Sequence, residues 1–419
     1  MLRLRQWLTL TIPRVLSNAA SLYDVAVTAK SLSYILSITV PERLLTPADT
    51  KPIRIGGAHA TEKELVLQLA RTTADRDRIV ALIAKKPDWP WVQRQLARHG
   101  LTRQAAMQLS DVGAHVPDEV QAFLTQRTRH VIVENMRQTQ ELLRVLKALE
   151  EAGVPAMPFK GPALALWGYG DVSLRRFGDL DILVPYDKVQ EARDCLEGSL
   201  GYQSYRSFTE NDAQEFVDTQ MGWEFVREEP RSVVELHWSF FFSIYPFDLR
   251  PDDVWERHTR RMVGGQPVRS FDPVDKLLYL CYHGMKHRFA SLKWVLDVSQ
   301  WIRAHPALDW GVVFARARRT RCLRAVYLSR LLVMDLLGGD FPDAVRAKAR
   351  QDQTAQRLAQ QIVDGWLFAE PGEGGTDTLE DILFHVRSCD RPWQAWPFVW
   401  HYCRLGLEGL LKRLNAPAN

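Results

Sequence analysis

Two carboxylates one residue apart, Asp179 and Asp181, stand at the start of the apolar run Leu180 to Val184. This run is typical of a β-strand, in which residues i and i+2 point to the same face. The two side chains would therefore lie side by side, which is unfavourable for two anions unless a cation lies between them. Such a pair is suited to holding Mg²⁺ and a triphosphate. The alternative is that both residues cap a turn, because the Asp-x-Asp spacing is common.

A third carboxylate, Glu235, lies in the stretch Ser232 to Trp238, which also predicts a strand. Nucleotidyl transfer needs metal ions that bridge the triphosphate and activate the attacking oxygen, and acidic side chains hold such ions. An unpaired carboxylate in an apolar strand would be costly, so Glu235 is predicted to join Asp179 and Asp181 as a metal ligand. In the alternative, Glu235 pairs with an arginine. His237 shares the strand face of Glu235 and could contact a phosphate or a metal, or be a core histidine.

Basic residues and a glycine turn precede the acidic pair. Lys160 and Gly161 follow a predicted strand, Val154 to Phe159. A glycine there lets the backbone approach a phosphate, and the N–H groups that open the next helix favour an anion. We therefore predict that Lys160 and Gly161 contact the nucleotide, with a plain strand-to-helix turn as the alternative. Arg175 is predicted to bind a phosphate with its planar fork or to organise the site, unless it pairs with a carboxylate such as Asp179.

A second group of polar residues lies downstream, in a predicted helix from Pro273 to His287. His283 and His287 are four residues apart and share one helix face. No third ligand with zinc-site spacing is evident. We predict instead that this face closes over the nucleotide and that His283 contacts it, with Lys293 near the phosphates and an aromatic side chain near the base. The alternative is a polar contact between helices, in which Asp297 pairs with Lys293 or His287.

These motifs together resemble those of a bacterial family, the uncharacterised nucleotidyltransferases of the DNA polymerase β-like superfamily. The resemblance covers roughly residues 89–337. Four motifs support the resemblance. They are a lysine-glycine turn (Lys160-Gly161), an Arg-x-x-Gly-Asp-x-Asp-x-Leu-Val stretch (Arg175 to Val184), an acidic-x-His-Trp strand (Glu235 to Trp238), and a helix with paired histidines (Leu277 to His287), which Trp294 and Asp297 follow.

The resemblance implies an α+β fold, namely a polymerase β-like nucleotidyltransferase core with a small mixed sheet, flanked by N- and C-terminal helical domains. It implies that Asp179, Asp181 and Glu235 match the metal-binding carboxylates. Two departures stand out. Most of the superfamily has Gly-Ser in the turn where this chain has Gly161-Pro162, and Lys160 would have to compensate for the missing hydroxyl. The third acid is glutamate where aspartate is common.

The implied activity is a Mg²⁺-dependent transfer, with Mn²⁺ as the alternative ion, of a nucleoside monophosphate from an NTP. We expect AMP from ATP to go to a hydroxyl of a small molecule, peptide or protein, with release of pyrophosphate and with Glu235 accepting the hydroxyl proton. The Gly161-Pro162 departure motivates a second hypothesis. In it the chain is a catalytically silent nucleotide-binding or scaffolding protein with the same fold.

The changes of pattern along the chain predict four segments. They are an N-terminal helical region (1–127), a nucleotidyltransferase core (128–248), a C-terminal helical domain (249–370), and a linker with a last helical segment (371–419). Leu8 to Leu36 is predicted to be helical, and Val131 to Glu151 to be a long amphipathic helix that Gly153 ends. After about Asp248 only helices are predicted.

The composition limits the partners. The chain has 419 residues, 46% hydrophobic and 25% charged, and a formal net charge of +4. Because basic and acidic residues are interspersed, long nucleic acid is not predicted as a partner. Five cysteines without Cys-x-x-Cys spacing indicate reduced thiols and a cytoplasmic location. No stretch approaches the ~18 apolar residues of a membrane-spanning helix, so no integral membrane segment is predicted.

Aromatic residues crowd the C-terminal segment. Interfacial membrane helices have such content when basic residues lie nearby, as Arg404, Lys412 and Arg413 do here. Packing against the helical domain is the commoner cause of such a cluster, and both interpretations stay open. The crowded residues are Trp393, Trp396, Phe398, Trp400, Tyr402 and Leu405.

Overall fold

The computed structural model describes residues 52–404, with gaps at 114, 205–209, 340, 342 and 370–377. The helix predicted from Leu8 to Leu36 lies outside the described residues, as do residues 371–377 and 405–419 of the predicted linker and last helical segment.

A five-stranded mixed sheet forms the centre of the fold, in the order β1–β2–β5–β4–β3. β2 and β5 run parallel, and the other neighbouring pairs are antiparallel. The short turn at residues 228–231 joins β4 and β5 as an antiparallel hairpin. The strands are Met157–Pro158 (β1), Leu180–Leu183 (β2), Gln203–Ser204 (β3), Gly222–Arg227 (β4) and Ser232–His237 (β5).

The first strand is much shorter than the predicted run from Val154 to Phe159. Pro155 and Pro158 lack the backbone N–H that a sheet ladder needs, so only two residues pair with β2. The strand nevertheless brings the following Lys160-Gly161 turn next to β2.

Within residues 52–151, five helices precede the sheet. The last is 34 residues long, and its apolar stripe reaches both the other helices and the sheet. Gly153, with φ of +73°, follows its end, as predicted for a helix stop. The helices are Ala60–Ala70 (α1), Arg76–Ile83 (α2), Trp89–Arg98 (α3), Thr102–Val112 (α4) and Asp118–Glu151 (α5).

Shorter helices connect the strands, and a larger set follows the sheet. Within the sheet region lie Gly161–Leu164 (α6), Val189–Asp194 (α7) and Glu210–Thr219 (α8). The later helices are Pro251–Arg257 (α9), Pro273–Lys286 (α10), Leu292–Ala304 (α11), Trp310–Arg319 (α12), Leu323–Leu337 (α13), Asp343–Gln351 (α14), Gln353–Ile362 (α15), Thr378–Ser388 (α16) and 396–404 (α17).

The prediction of helices alone after Asp248 was wrong at one place. Thr259–Val263 (β6) and Gln266–Ser270 (β7) form an antiparallel hairpin. Gly264 and Gly265 both have positive φ and make its turn, a conformation that other residues adopt only with strain. The strands carry few apolar residues, so no alternation marked them in the sequence.

Two hydrophobic cores stabilise the described part of the chain. One contains residues from helices that precede the sheet in the chain, such as Leu65 and Leu96, and from helices that follow it, such as Leu332. These helices therefore pack into one body. The other lies between α5 and the sheet and includes Leu149 and Phe225. The predicted fold class, an α+β core with a small mixed sheet flanked by helices, is confirmed. Among the described residues, no helix has both the length and the apolarity to cross a membrane.

Candidate functional site

The parallel pairing of β2 and β5 brings two acidic residues together. Asp181 lies directly opposite Glu235 in the strand register, so both side chains leave the same face of the sheet. His237 follows on that face. Ligand atoms of Asp181, Glu235 and His237 all lie within 4.8 Å of one another. Together with Lys160, which contacts Asp181, we call these residues the sheet cluster.

Asp181 forms the buried floor of the sheet cluster, with only 2% of its surface exposed. Its Oδ1 forms an ion pair with the Lys160 ammonium and lies 3.5 Å from Nε2 of His237. Burial acts to raise the pKa of Asp181, but the charge of Lys160 and the His237 hydrogen bond outweigh it and hold the pKa below its usual range. Oδ2 of Asp181 is buried without a hydrogen-bond partner among the described residues.

Lys160 is directed at Asp181. Burial works against its charge, but the Asp181 carboxylate raises the pKa of Lys160 above its ordinary value. The side chain therefore stays charged beside the buried acid, and contact with a phosphate would have to be made from this position.

Asp179 lies just before β2 and is half-buried. Burial, and then the nearby charge of Asp181, raise the pKa of Asp179 above its usual range. The contribution of Asp181 is the repulsion between two neighbouring carboxylates, which disfavours the charged form of Asp179.

His237 is fixed by its neighbours. Its Nε2 lies 3.2 Å from Oε2 of Glu235, and its ring meets the edge of the Phe159 ring at a centroid distance of 5.1 Å. Burial acts to lower the pKa of His237, but hydrogen bonds to Asp181 and Glu235 raise it. Gly222 on the neighbouring strand leaves room for the ring, because a Cβ there would lie 2.8 Å from Nδ1 of His237.

Glu235 is one-third exposed and has His237 as its ion-pair partner, rather than the arginine that was the alternative. It therefore remains accessible at the edge of the cluster while Asp181 is enclosed.

The Lys160-Gly161 turn has the glycine geometry expected of it. Gly161 has φ of +54°, and a Cβ there would lie 3.1 Å from the carbonyl oxygen of Asp179. The turn thus packs directly on the loop that carries the acidic pair. The helix that follows continues beyond Leu164 as the π-helical segment Ala165–Tyr169. Pro162, in its first turn, has no N–H to donate to an anion.

Arg175 is placed differently from a phosphate ligand. Its Nε and Nη2 donate to the two carboxylate oxygens of Asp297 at 2.7 and 2.9 Å, in a pair that is nearly fully buried. The Tyr169 hydroxyl donates to the same carboxylate at 2.7 Å. The carboxylate partner is Asp297 on α11, so the alternative that paired Asp297 with Lys293 or His287 was wrong.

The second side of the site is formed by α10 and the start of α11. The His283 and His287 rings are 4.7 Å apart between centroids, and Trp294 stacks on His287 at 5.0 Å. Burial, then the neighbouring cation of Lys286, lowers the pKa of His287 to about 4, and burial also lowers the pKa of His283. His283, Lys286, His287 and Lys293 are called the helix cluster below.

The lysines of the helix cluster are also desolvated. Burial, then the charge of Lys160, lowers the pKa of Lys286 to about 8. Burial, then the charge of Arg175, lowers the pKa of Lys293, and Asp179 acts in the opposite sense. Within the described ranges, neither lysine forms an ion pair with a carboxylate.

Three residues near the site were missed by the sequence reasoning. Lys276 is buried with its ammonium 4.7 Å from the Phe271 ring centroid, and burial lowers its pKa well below the ordinary value. Asn135, also buried, donates to the carbonyls of Val172 and Arg175 and so holds the loop before β2 on α5. A polar residue at a core-facing helix position was the available signal for both.

The third missed residue is Glu224 on β4. It lies directly opposite Glu235, so Asp181, Glu235 and Glu224 form a row across three neighbouring strands. Its signal was the alternation with buried Trp223 and Phe225, which puts Glu224 on the face of the acids.

Comparison with known proteins gives a family match. Residues 85–338 match the family model described as uncharacterised nucleotidyltransferase. The solution structure of the antibiotic-resistance factor ANT(2'')-Ia is 15% identical over 48% of this chain and 96% of that one, with a TM-score of 0.32. An antigenic nucleotidyltransferase-like protein from Paracoccidioides brasiliensis is 16% identical over 49% and 95%, with a TM-score of 0.30. No curated protein matches the chain.

Proposed function

The chain belongs to the uncharacterised nucleotidyltransferase family, and on that premise we propose that it is a Mg²⁺-dependent enzyme that transfers AMP from ATP to a hydroxyl group and releases pyrophosphate. The observation that carries the proposal is the convergence of Asp181, Glu235 and His237 within 4.8 Å, across two parallel strands. Neighbouring strands hold these groups rigidly, as metal-dependent chemistry requires.

The donor set of the sheet cluster fits a hard divalent cation. Carboxylate oxygens suit Mg²⁺ and Mn²⁺, and the buried Oδ2 of Asp181 has no hydrogen-bond partner among the described residues, so it is available to a ligand. We assign Asp179, Asp181 and Glu235 as the residues that would hold the ion, with His237 beside them. When bound, the ion would neutralise charge on the phosphate oxygens.

The residues of the chain then have separate tasks. The acceptor oxygen forms a bond to the α-phosphorus, the bond from that phosphorus to pyrophosphate breaks, and the hydroxyl proton passes to Glu235. Glu235 suits this role because it is accessible and next to His237, a second group that can take up a proton. Lys160 keeps Asp181 ionised.

The helix cluster supplies contacts to the nucleotide in this proposal. Lys293 has no carboxylate partner among the described residues and lies near Asp179, so it would pair with a phosphate. His283 and the stacked pair of His287 and Trp294 would face the nucleotide, with Trp294 as the surface for the base. Arg175 acts through Asp297 and positions α11 rather than touching the phosphates.

The acceptor is proposed to be a small molecule, a peptide or a protein. The formal net charge of only +4 disfavours long nucleic acid, whose binding depends on many cationic contacts. A cytoplasmic, bacterial setting is proposed, because all five cysteines are free and the family resemblance is bacterial.

A silent nucleotide-binding protein is the second candidate. Two observations favour it, the absence of a hydroxyl and of an N–H at Pro162, and the Lys160 ammonium that already neutralises Asp181. In that case ATP would bind but no bond would be broken.

Titration calorimetry with ATP, with and without Mg²⁺, tests the site. Wild-type protein should bind ATP more tightly with Mg²⁺, and Asp181→Asn should lose that gain. Asp187→Asn, which changes an exposed carboxylate just after β2, is the matched control. Equal binding by wild type and Asp181→Asn would show that the site is misassigned.

Incubation of the protein and a cell lysate with α-labelled ATP separates the two candidates. A labelled acceptor that depends on Asp181 supports the transferase. Tight ATP binding without any labelled product supports the silent protein.

A further inference from the structure

The C-terminal segment of the described chain exposes three tryptophans. Trp393 has 65% of its surface exposed, Trp396 45% and Trp400 47%. Single exposed apolar side chains are common, but several that adjoin one another indicate an interaction surface. Packing against the helical domain, the commoner explanation of such a cluster, therefore does not account for these three residues.

The three tryptophans form a stripe. Trp393 lies in the 3₁₀ turn Pro392–Ala395, and Trp396 and Trp400 lie in α17 directly after it. Their spacing of three and four residues puts them on one helix face, and the rings of Trp396 and Trp400 stack at 6.1 Å. We call these three residues the tryptophan stripe.

The opposite side of α17 is anchored. Phe398 is 2% exposed and packs on Tyr245 and His385, at centroid distances of 5.6 and 4.9 Å. The helix therefore cannot turn its tryptophans inward without losing this contact.

The charge at the start of the tryptophan stripe is positive, because Arg391 lies over the Trp393 ring at 5.1 Å. The only carboxylate between 387 and 404 is Asp390, which accepts hydrogen bonds from the backbone N–H groups of residues 323 and 324 and so faces inward.

We propose that the tryptophan stripe docks the protein on an anionic membrane surface. Indole rings favour the boundary between head groups and acyl chains, and flanking guanidinium groups favour anionic lipids. A stripe of three exposed tryptophans that begins beside Arg391 matches both requirements. The proposal is independent of the chemistry assigned to the sheet cluster.

Co-sedimentation with phosphatidylcholine vesicles, with and without phosphatidylglycerol, tests the proposal. Wild-type protein should pellet with the anionic vesicles and much less with the neutral ones. The triple variant Trp393→Ala/Trp396→Ala/Trp400→Ala should bind the anionic vesicles at least about 10-fold more weakly. Arg391→Glu should weaken binding to anionic vesicles only.

The matched control removes exposed apolar side chains elsewhere, with Val133→Ser/Met136→Ser on α5. That control should pellet like wild type, and unchanged thermal unfolding and ATP binding should show that every variant is folded. Protein that stays in the supernatant, or a triple variant that pellets like wild type, overturns the proposal. The proposal is also overturned if the wild-type protein forms a dimer, the triple variant does not, and neither binds vesicles. That result would assign the tryptophan stripe to contact with a second copy of the chain.

Discussion

The sheet cluster and the helix cluster hold ionisable groups in opposite ways. In the sheet cluster Asp181 has Lys160 and His237 as neighbours, so its charge is compensated and its pKa stays low. In the helix cluster all four side chains are basic, and within the described chain none forms an ion pair with a carboxylate. Burial therefore lowers their pKa values, to about 4 for His287 and about 8 for Lys286.

This difference follows from how the elements place their residues. Strand register sets Asp181 opposite Glu235, so the sheet places carboxylate oxygens next to one another, a donor set that suits a divalent cation. The helix cluster concentrates nitrogen donors that gain by meeting an anion. A metal-bound polyphosphate between the two would satisfy both, and the predictions below test this division of labour.

The largest effect is expected at the link between the two sides. The buried Arg175–Asp297 pair ties the loop before β2 to α11, which carries Lys293. Asp297→Asn leaves a buried guanidinium without its counter-charge, so the free energy of unfolding should fall by about 3–5 kcal/mol. The double variant Arg175→Met/Asp297→Leu should lose less than the sum of the single changes. Urea denaturation followed by circular dichroism measures both.

The exposed Arg78–Glu64 pair is the control for this test. It has equally short contacts, at 2.6 and 2.7 Å, but both side chains are a third or more exposed. Arg78→Met should therefore cost less than about 1 kcal/mol. Equal losses of unfolding free energy at the two pairs would show that burial does not increase the contribution of the Arg175–Asp297 pair to stability.

The sequence predicted the sheet cluster better than the helix cluster. Period-two alternation in two apolar runs placed Asp181 and Glu235 on strands, and the family resemblance suggested that those strands meet. The pairing register itself depends on long-range packing that no local pattern contains. The positive φ of Gly161 was predictable in kind, since a glycine at a turn before a helix commonly has it.

The helix cluster depends on contacts between distant parts of the chain. Arg175 and Asp297 are 122 positions apart in the sequence. Each has residues of opposite charge much nearer in the sequence, so the sequence suggested other ion-pair partners for both. Lys276 looked like an ordinary polar residue in a helix, although it is buried and its ammonium lies within about 6 Å of three aromatic rings, those of Phe159, Phe271 and Tyr279. Burial decides the chemistry of such groups, and burial is set by tertiary packing.

Acid should destabilise the helices before it affects the sheet cluster. The buried His99 accepts a hydrogen bond from the N–H of Leu292, and burial, then the charge of Arg98, lowers its pKa to about 3. In the unfolded chain His99 is protonated below about pH 6.5, whereas in the folded chain it stays neutral down to about pH 3. The free energy of unfolding therefore falls as the pH drops from about 6.5 towards 3, by up to about 1.4 kcal/mol per pH unit for this group. Asp181, with its lowered pKa, loses its contribution only below about pH 4.

His99→Asn separates the two effects, because an amide oxygen can still accept from Leu292 but does not titrate. The urea midpoint of this variant should fall less steeply than that of wild type between pH 6.5 and pH 4. His115→Asn, at an exposed position, should keep the wild-type slope. Identical slopes for His99→Asn and wild type would assign the acid sensitivity to other groups.

The smallest effect is expected from removing one phosphate contact of the helix cluster. In the proposed complex Lys293 binds the phosphates equally before and during transfer, because its charge lies away from the bonds that change. Lys293→Met should therefore raise KM for ATP about 10-fold, or about 1.4 kcal/mol, and leave kcat within about 2-fold. Asp181→Asn should lower kcat as well as weaken ATP binding, and Lys147→Met, at an exposed lysine, should change neither constant. A Lys293→Met variant that loses kcat at unchanged KM would place this lysine with the sheet cluster in the chemistry, because only an interaction made in the transition state has that kinetic effect.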